Sequence, residues 1–309
     1  MTASASDGLV HLDASTFQKP LGQLAEVLAQ KLHREAPKLL PAPTFVAVDL
    51  FVLMRKAMRT YDLLFYLNAD ERRNSDCYWR SAYSVLALSL IRTMIDCLYN
   101  ITTILQAPAA NGALFRKSGF QKSLRALDDE EQRYGGQPKW DEYIARGRSM
   151  IDLGLRESGF TLAEINSQKW AWHTLGQYLS YKPGGRTTAH QDFLRTFAYG
   201  NWREYSAMSH STFEGLMPTA MYYVADTAPH DNREMIEQRF ELVLFMHIGR
   251  AAGLLLCIIT ELQAHFKFDD DGARINERIH EMWDALMPVF EIKELYDGHY
   301  RQRMKARGI

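Results

Sequence analysis

The stretch SAYSVLALSLIRTMIDCLYNITTIL, residues 81–105, decides the fold of this chain. It is long and predominantly apolar, and it contains neither proline nor glycine. A second stretch, LVLFMHIGRAAGLLLCIITEL at 242–262, has the same apolar character. Both stretches are too long for single strands, so they predict two long helices.

Charged residues lie near the centre of both stretches. Arg92 and Asp96 interrupt the first, and Arg250 interrupts the second. A charge at the centre of a lipid-facing helix is costly. The pattern therefore favours buried helices of a bundle over membrane spans, and no membrane partner is expected.

Helix signals dominate the rest of the chain, and no alternating strand pattern stands out. The 309 residues, of which 47% are hydrophobic, are enough for a sizeable core. We predict an all-α protein, a long-helix bundle with a smaller helical insertion. The expected long helices are residues 16–34, 44–69, 76–106, 201–225, 231–266, 273–287 and 289–306.

The composition predicts three parts. Residues 1–40 form an N-terminal helical arm, and residues 41–108 and 201–309 form the main bundle. Residues 109–200 are more polar, and we expect short helices there, packed on the bundle as an insertion. Pro108 and Gly112 are expected to end the long apolar helix before it. Two capping boxes, Thr161-x-x-Glu164 and Thr188-x-x-Gln191, are expected to open helices within the insertion.

Charge and cysteine content narrow the function classes. A net charge of −1 argues against a nucleic-acid binder that relies on bulk charge, although a local basic patch is compatible with it. The three cysteines are far apart along the chain, which is typical of reduced, buried thiols and predicts a cytoplasmic protein.

A di-iron bundle needs two Glu-x-x-His motifs. We find one, Glu277–His280, so no metal or other cofactor is predicted.

Polar residues within the apolar helices form the strongest candidate site. Buried charges need partners, so we expect three helices to meet around one polar centre. Such a centre is either a structural network or a ligand site, and the sequence leaves both open. Its predicted ligand-binding members are Arg92, Asp96, His247 and Arg250, and its members on the helix at 201–225 are Ser206 and His210.

Two short motifs resemble an uncharacterised bacterial family of all-helical proteins. RTMID at 92–96 matches its R-T-x-[IL]-[ED] helix, with aspartate where glutamate is usual. WREYSAMSHST at 202–212 matches its downstream helix through Trp202, Arg203, Ser206, His210 and Ser211. That family has no settled activity, so the resemblance implies a shared polar centre without implying a reaction.

A looser resemblance is to helical nucleases of the HEPN type (higher eukaryotes and prokaryotes nucleotide-binding), which carry R-x4–6-H on one helix. Arg203 and His210 fit this spacing. The resemblance implies metal-independent RNA cleavage, with the motif helix at a homodimer interface. Histidine would move protons, and arginine would stabilise the phosphorane charge.

Ser206 is the third catalytic candidate. With His210 and Asp96 it gives a formal Ser–His–Asp set, but no nucleophile elbow or glycine-rich oxyanion loop accompanies it.

The leading hypothesis is a HEPN-like helical protein that cleaves RNA or binds a nucleotide, by analogy in stress or phage defence. The alternative is a non-enzymatic bundle that binds a small molecule or a protein partner. Exposure of Arg203 and His210 to a groove would favour the nuclease. An enclosed pocket, with Arg203 facing solvent, would favour the binding bundle.

Overall fold

The computed structural model describes residues 14–69, 77–169, 171–182, 185–196, 200–209, 230–268 and 272–309. These ranges are helical apart from turns and short connections, and they contain no strand, which confirms the predicted all-α fold. The helices are α1 Ala14–Leu39, α2 Thr44–Ala69, α3 Cys77–Gln106, α4 Pro108–Tyr134, α5 Pro138–Ser158, α6 Leu162–Asn166, α7 Leu175–Ser180, α8 Ala189–Leu194, α9 Gly200–Ser209, α10 His230–Phe266, α11 Ile275–Leu286, α12 Phe290–Leu295 and α13 Arg301–Arg307.

The central helix is α3, which packs against α2, α4, α9 and α10. Its residues Ile91, Met94, Leu98 and Ile101 are fully buried, because their spacing places them along the side that faces the bundle. Among the described residues, the segment Ala87–Gln106 is long and apolar enough to cross a membrane. About two thirds of that segment, 67%, is buried inside the protein, as in the core helix of a bundle.

The first helix is part of the main core. Phe17, Leu21, Leu24 and Leu28 on α1 are fully buried, and α1 packs against α2, α10 and α11. Their spacing of three and four residues places them on one face. The described part of the predicted arm at 1–40 is therefore an integral helix of the bundle.

Between residues 109 and 200 the prediction of short helices is wrong for the first half. There, α4 and α5 are long helices that form a hairpin around the turn Gly135–Gln137. The helix α3 ends before Pro108 as expected, but α4 begins at Pro108 itself. Proline suits this first position because its missing N–H would have no helical partner there. The hairpin shares a separate small core with α6, formed by Leu127, Ile151, Leu155 and Ile165.

A half-buried ion pair holds the hairpin on the bundle. The Arg116 guanidinium on α4 donates to both carboxylate oxygens of Asp49 on α2, at 2.5 and 3.0 Å. It also donates to the Ser158 hydroxyl at 3.0 Å and lies 4.8 Å from the centre of the Phe45 ring. One side chain thus links α2, α4 and α5.

Capping boxes begin the short helices of the insertion. Those at Thr161–Glu164 and Thr188–Gln191 are present as predicted, with the threonine hydroxyl accepting from the backbone N–H three residues later. A third box, Thr174–Gln177, opens α7. It follows the same T-x-x-Q pattern and could have been found from the sequence.

The C-terminal segment departs from prediction. The single helix expected at 289–306 is divided into α12, a π-helical turn at Tyr296–Tyr300 and α13.

Two of the cysteines, Cys97 and Cys257, are buried free thiols, and burial raises the pKa of Cys97 to about 12. Both are thus unreactive core residues, as the sequence predicts for them.

Two glycines in α4 offer a matched test of the packing of α4 against α2. A methyl group added at Gly112 would lie 2.6 Å from the side chain of Val46, which is fully buried and stiff at χ1. We expect Gly112→Ala to lower the free energy of unfolding by about 1–2 kcal/mol, because overpacking outweighs the gain in helix propensity. Urea denaturation followed by circular dichroism measures this change.

The control is Gly119→Ala in the same helix, where nothing lies within 4 Å of the added methyl group. It should raise stability by about 0.5–1 kcal/mol. Equal stabilisation by both substitutions would contradict the close contact between α2 and α4.

Candidate functional site

The candidate site is built around α9, which packs against α3. Tyr205 is fully buried and Trp202 is half-buried. The three-residue spacing of these two side chains places them on neighbouring positions of one side of the helix. Arg203 is exposed, and Ser206 is half-buried. The helix therefore presents large side chains to the bundle and an arginine to solvent.

Trp202 makes the first of two polar contacts that hold α9, here called the tryptophan contact. Its indole N–H donates to the Asp96 carboxylate at 3.1 Å. The Arg92 guanidinium lies 5.7 Å from the centre of the Trp202 ring, a cation–π distance. Gly176 on α7 leaves space for the ring, because a methyl group there would lie 3.2 Å from it.

The carboxyl group of Asp96 is partly removed from water by this arrangement. Burial raises its pKa above the usual range, and the Trp202 hydrogen bond and the positive charges of Arg92 and Lys56 partly oppose that rise. The indole N–H is thus a partner for a carboxylate that has lost part of its hydration.

Tyr205 makes the second contact, here called the tyrosine network. Its hydroxyl oxygen accepts from the Arg250 guanidinium at 2.5 Å and lies 3.4 Å from Nδ1 of His247. Arg250 also forms a bidentate pair with Glu291 on α12, at 2.6 and 2.7 Å. The network therefore joins α9, α10 and α12 through a guanidinium whose side chain is 12% exposed.

The charges of the tyrosine network fix its protonation state. Burial, reinforced by the positive charge of Arg250, lowers the pKa of His247 to about 4. The ion pair with Glu291 raises the pKa of Arg250 above its usual value. At neutral pH the histidine is neutral and the arginine is charged, so His247 does not serve as a proton carrier in that range.

The predicted polar centre is therefore two contacts joined by α9. Arg92 and Asp96 meet Trp202, whereas His247 and Arg250 meet Tyr205. His210 lies outside the described residues, as does Ser211 of the family motif.

The sequence pattern does not indicate the roles of Tyr205 and Glu291. Tyrosine at helical spacing is typical of core packing. Glu291 lies in the first turn of a short helix whose position relative to Arg250 depends on the tertiary fold.

A separate cavity of about 260 Å³ lies beside α3, between α4 and α7. It is lined mainly by aromatic and neutral polar side chains, among them Tyr99, Asn111, Trp172 and Tyr178. These residues are scattered over nearly eighty positions of the chain, so no sequence motif marks them. Among the described side chains, no group of three or more His, Cys, Asp or Glu could hold a metal ion.

No family model, no curated protein and no solved structure matches this chain. The two resemblances drawn from the motifs at 92–96 and 202–212 therefore stay predictions.

The tryptophan contact predicts a specific loss of stability. Trp202→Phe keeps an aromatic ring beside Arg92 but removes the hydrogen-bond donor of the partly buried Asp96 carboxylate. We expect the free energy of unfolding to fall by about 1–3 kcal/mol. Trp140→Phe is the control, because Trp140 stacks on Tyr134 near the tip of the α4–α5 hairpin. Its effect should stay near 0.5 kcal/mol, and equal losses in chemical denaturation would contradict the role of the indole N–H.

The lowered pKa of His247 predicts a dependence on pH. The unfolded chain binds a proton at this residue below about 6.5, whereas the folded chain does so only below about 4. The contribution of His247 to the free energy of unfolding is therefore fully present above pH 6.5. It is lost as the pH falls towards 4, and the loss amounts to about 3 kcal/mol. His247→Gln should reduce that loss, because glutamine does not titrate there.

Urea denaturation at pH 7.0 and pH 4.5 measures the change in the free energy of unfolding for the variant and for the native chain. Contributions from all other groups cancel in the difference between these two changes. His280→Gln on the exposed face of α11 is the matched control for the replacement of a histidine by glutamine. An unchanged dependence in His247→Gln would show that His247 is not held neutral by the fold.

Proposed function

We propose that this chain is a HEPN-like helical ribonuclease that cleaves RNA without a metal ion, with Arg203 and His210 as its catalytic pair. One observation carries the proposal: Arg203 is exposed on a helix whose other side is held by the tryptophan contact and the tyrosine network. A rigidly held helix with an exposed cation is suited to positioning a phosphate group.

The reaction proposed for Arg203 and His210 is transphosphorylation within RNA. The ribose 2′-oxygen attacks the phosphorus, its proton passes to a base, and the bond to the 5′-oxygen breaks as that oxygen receives a proton. In the proposal His210 moves these protons, and Arg203 stabilises the negative charge of the phosphorane. The products are a 2′,3′-cyclic phosphate and a 5′-hydroxyl.

Helix geometry favours a homodimer in this proposal. In the helix that the sequence predicts over 201–225, residues seven apart would be separated by about 10.5 Å of rise, although they would share a face. Two copies of the motif helix facing each other would bring Arg203 of one copy closer to His210 of the other. The substrate would be single-stranded RNA held by these local charges, since the chain carries a net charge of only −1.

The buried and half-buried members of the predicted centre have a supporting role here. Arg92, Asp96, His247 and Arg250 contact Trp202 and Tyr205 rather than the surface that carries Arg203. They are positioning residues for α9 in this proposal. Ser206, half-buried on the same helix, is not required by the reaction.

A second candidate function is small-molecule binding by a non-enzymatic bundle. The cavity beside α3 favours it. In both proposals the protein acts in the cytoplasm, which the reduced thiols of Cys97 and Cys257 support.

Cleavage of a mixed RNA pool in the presence of EDTA tests the nuclease. We expect the native chain to cleave, and we expect Arg203→Ala and His210→Ala each to lower the rate by about 100-fold or more. Arg203 is exposed, so its substitution should change stability by less than about 0.5 kcal/mol. A lost activity in that variant is then not a loss of fold.

The matched control is Arg34→Ala, which removes an exposed arginine on α1. It should leave cleavage unchanged, and all variants are compared at equal folded fraction. No cleavage by the native chain, or cleavage that survives both active-site substitutions, would overturn the proposal.

A further inference from the structure

The cavity beside α3 has a shape and lining that point to a ligand. Its volume of about 260 Å³ lies just below the range of about 300–1,000 Å³ that is typical of small-molecule sites. That size suits one ring with a small substituent. It lies between helices of the bundle and the insertion, a common place for such sites.

Fixed aromatic rings form its walls. The ring centre of Tyr99 lies 6.0 Å from that of Trp172 and 5.5 Å from that of Tyr178. The Trp172 indole N–H donates to the Asn100 side-chain oxygen at 2.9 Å, and the Tyr99 hydroxyl donates to the backbone oxygen of His173 at 2.9 Å. Because these hydrogen bonds fix the rings, a planar ligand meets walls that are already formed.

Neutral polar groups provide the specificity. The Asn111 amide nitrogen donates to the backbone oxygen of Thr103 at 2.7 Å, so the amide is oriented and its oxygen is left as an acceptor. The Thr103 hydroxyl is paired with the His190 ring nitrogen at 3.2 Å. No Asp, Glu, Lys or Arg is among the described residues that line the cavity. The lining also includes His173. A cationic ligand would lose hydration there without gaining a counter-charge, and an anionic ligand would have at most this one imidazole as a partner.

We infer that this cavity binds a small, uncharged planar molecule with a hydrogen-bonding edge, of the class of aromatic carboxamides and single-ring heterocycles. The ring packs among Tyr99, Trp172 and Tyr178, and a donor on the ligand meets the Asn111 side-chain oxygen. The site is separate from the exposed Arg203 and does not depend on the proposed nuclease.

Three isosteric probes test both the site and its preference for neutral ligands. Benzamide is uncharged, benzoate is an anion and benzamidine is a cation, and all three have nearly the same shape. We expect benzamide to bind the full chain with a dissociation constant on the order of 1 mM. The two charged probes should bind at least about tenfold more weakly. Saturation-transfer NMR and isothermal titration calorimetry measure the binding.

A blocking variant locates the site. Ala171 lines the cavity from an exposed position between α6 and α7, so Ala171→Phe can fill the mouth without repacking the core. It should weaken benzamide binding at least about tenfold. Ala126→Phe, on an exposed position of α4, is the matched control and should bind as the native chain does.

Three outcomes would overturn the inference. They are no benzamide binding up to about 10 mM, equal binding of the three probes, and benzamide binding that Ala171→Phe leaves unchanged.

Discussion

Asp96 on α3 and Arg250 on α10 are polar groups that the fold removes from most of the surrounding water, and each needs a partner. The helix α9 supplies one to both, through the Trp202 indole N–H and the Tyr205 hydroxyl. A group buried without a hydrogen bond costs about 1–3 kcal/mol, and a charged one costs more. The position of α9 therefore follows from the need to satisfy these groups as well as from apolar packing.

This constraint separates the polar residues of the chain by role. Those inside the apolar helices hold the motif helix, and the bidentate Arg250–Glu291 pair extends the same connection to the C-terminal helices. Among the side chains of α9 that the structure describes, Arg203 is the exposed group that can meet an outside partner. Among the described residues, the polar groups that the sequence predicts as a ligand site contact Trp202 and Tyr205 and so help to place α9.

The sequence predicts the helices well where periodicity and capping signals agree. The bounds of α2 are those expected, and two capping boxes begin helices where T-x-x-E and T-x-x-Q predict them. The predictions fail where the same residue or composition is compatible with two structures. Pro108 ends one helix and begins the next, and the polar composition of α4 reflects a largely exposed hairpin rather than a lack of helix.

The site is less predictable than the fold, for a different reason. Arg92 and Asp96 are visible as charges in an apolar helix, but their partner Trp202 is about a hundred residues away. The contacts of Arg250 with Tyr205 and Glu291 join distant segments of the chain. The cavity between α3, α4 and α7 likewise depends on contacts between distant segments. Spacing along the chain carries no information on such contacts.

Amide hydrogen exchange of α9 in Tyr205→Phe tests the central role of these contacts most directly. The substitution removes the hydroxyl that meets Arg250 and His247 and keeps the buried ring. We expect the amides of Gly200–Ser209 to exchange faster, corresponding to a loss of about 1–3 kcal/mol in local opening free energy. Unchanged exchange in α9 would contradict the claim that the tyrosine network holds this helix in place.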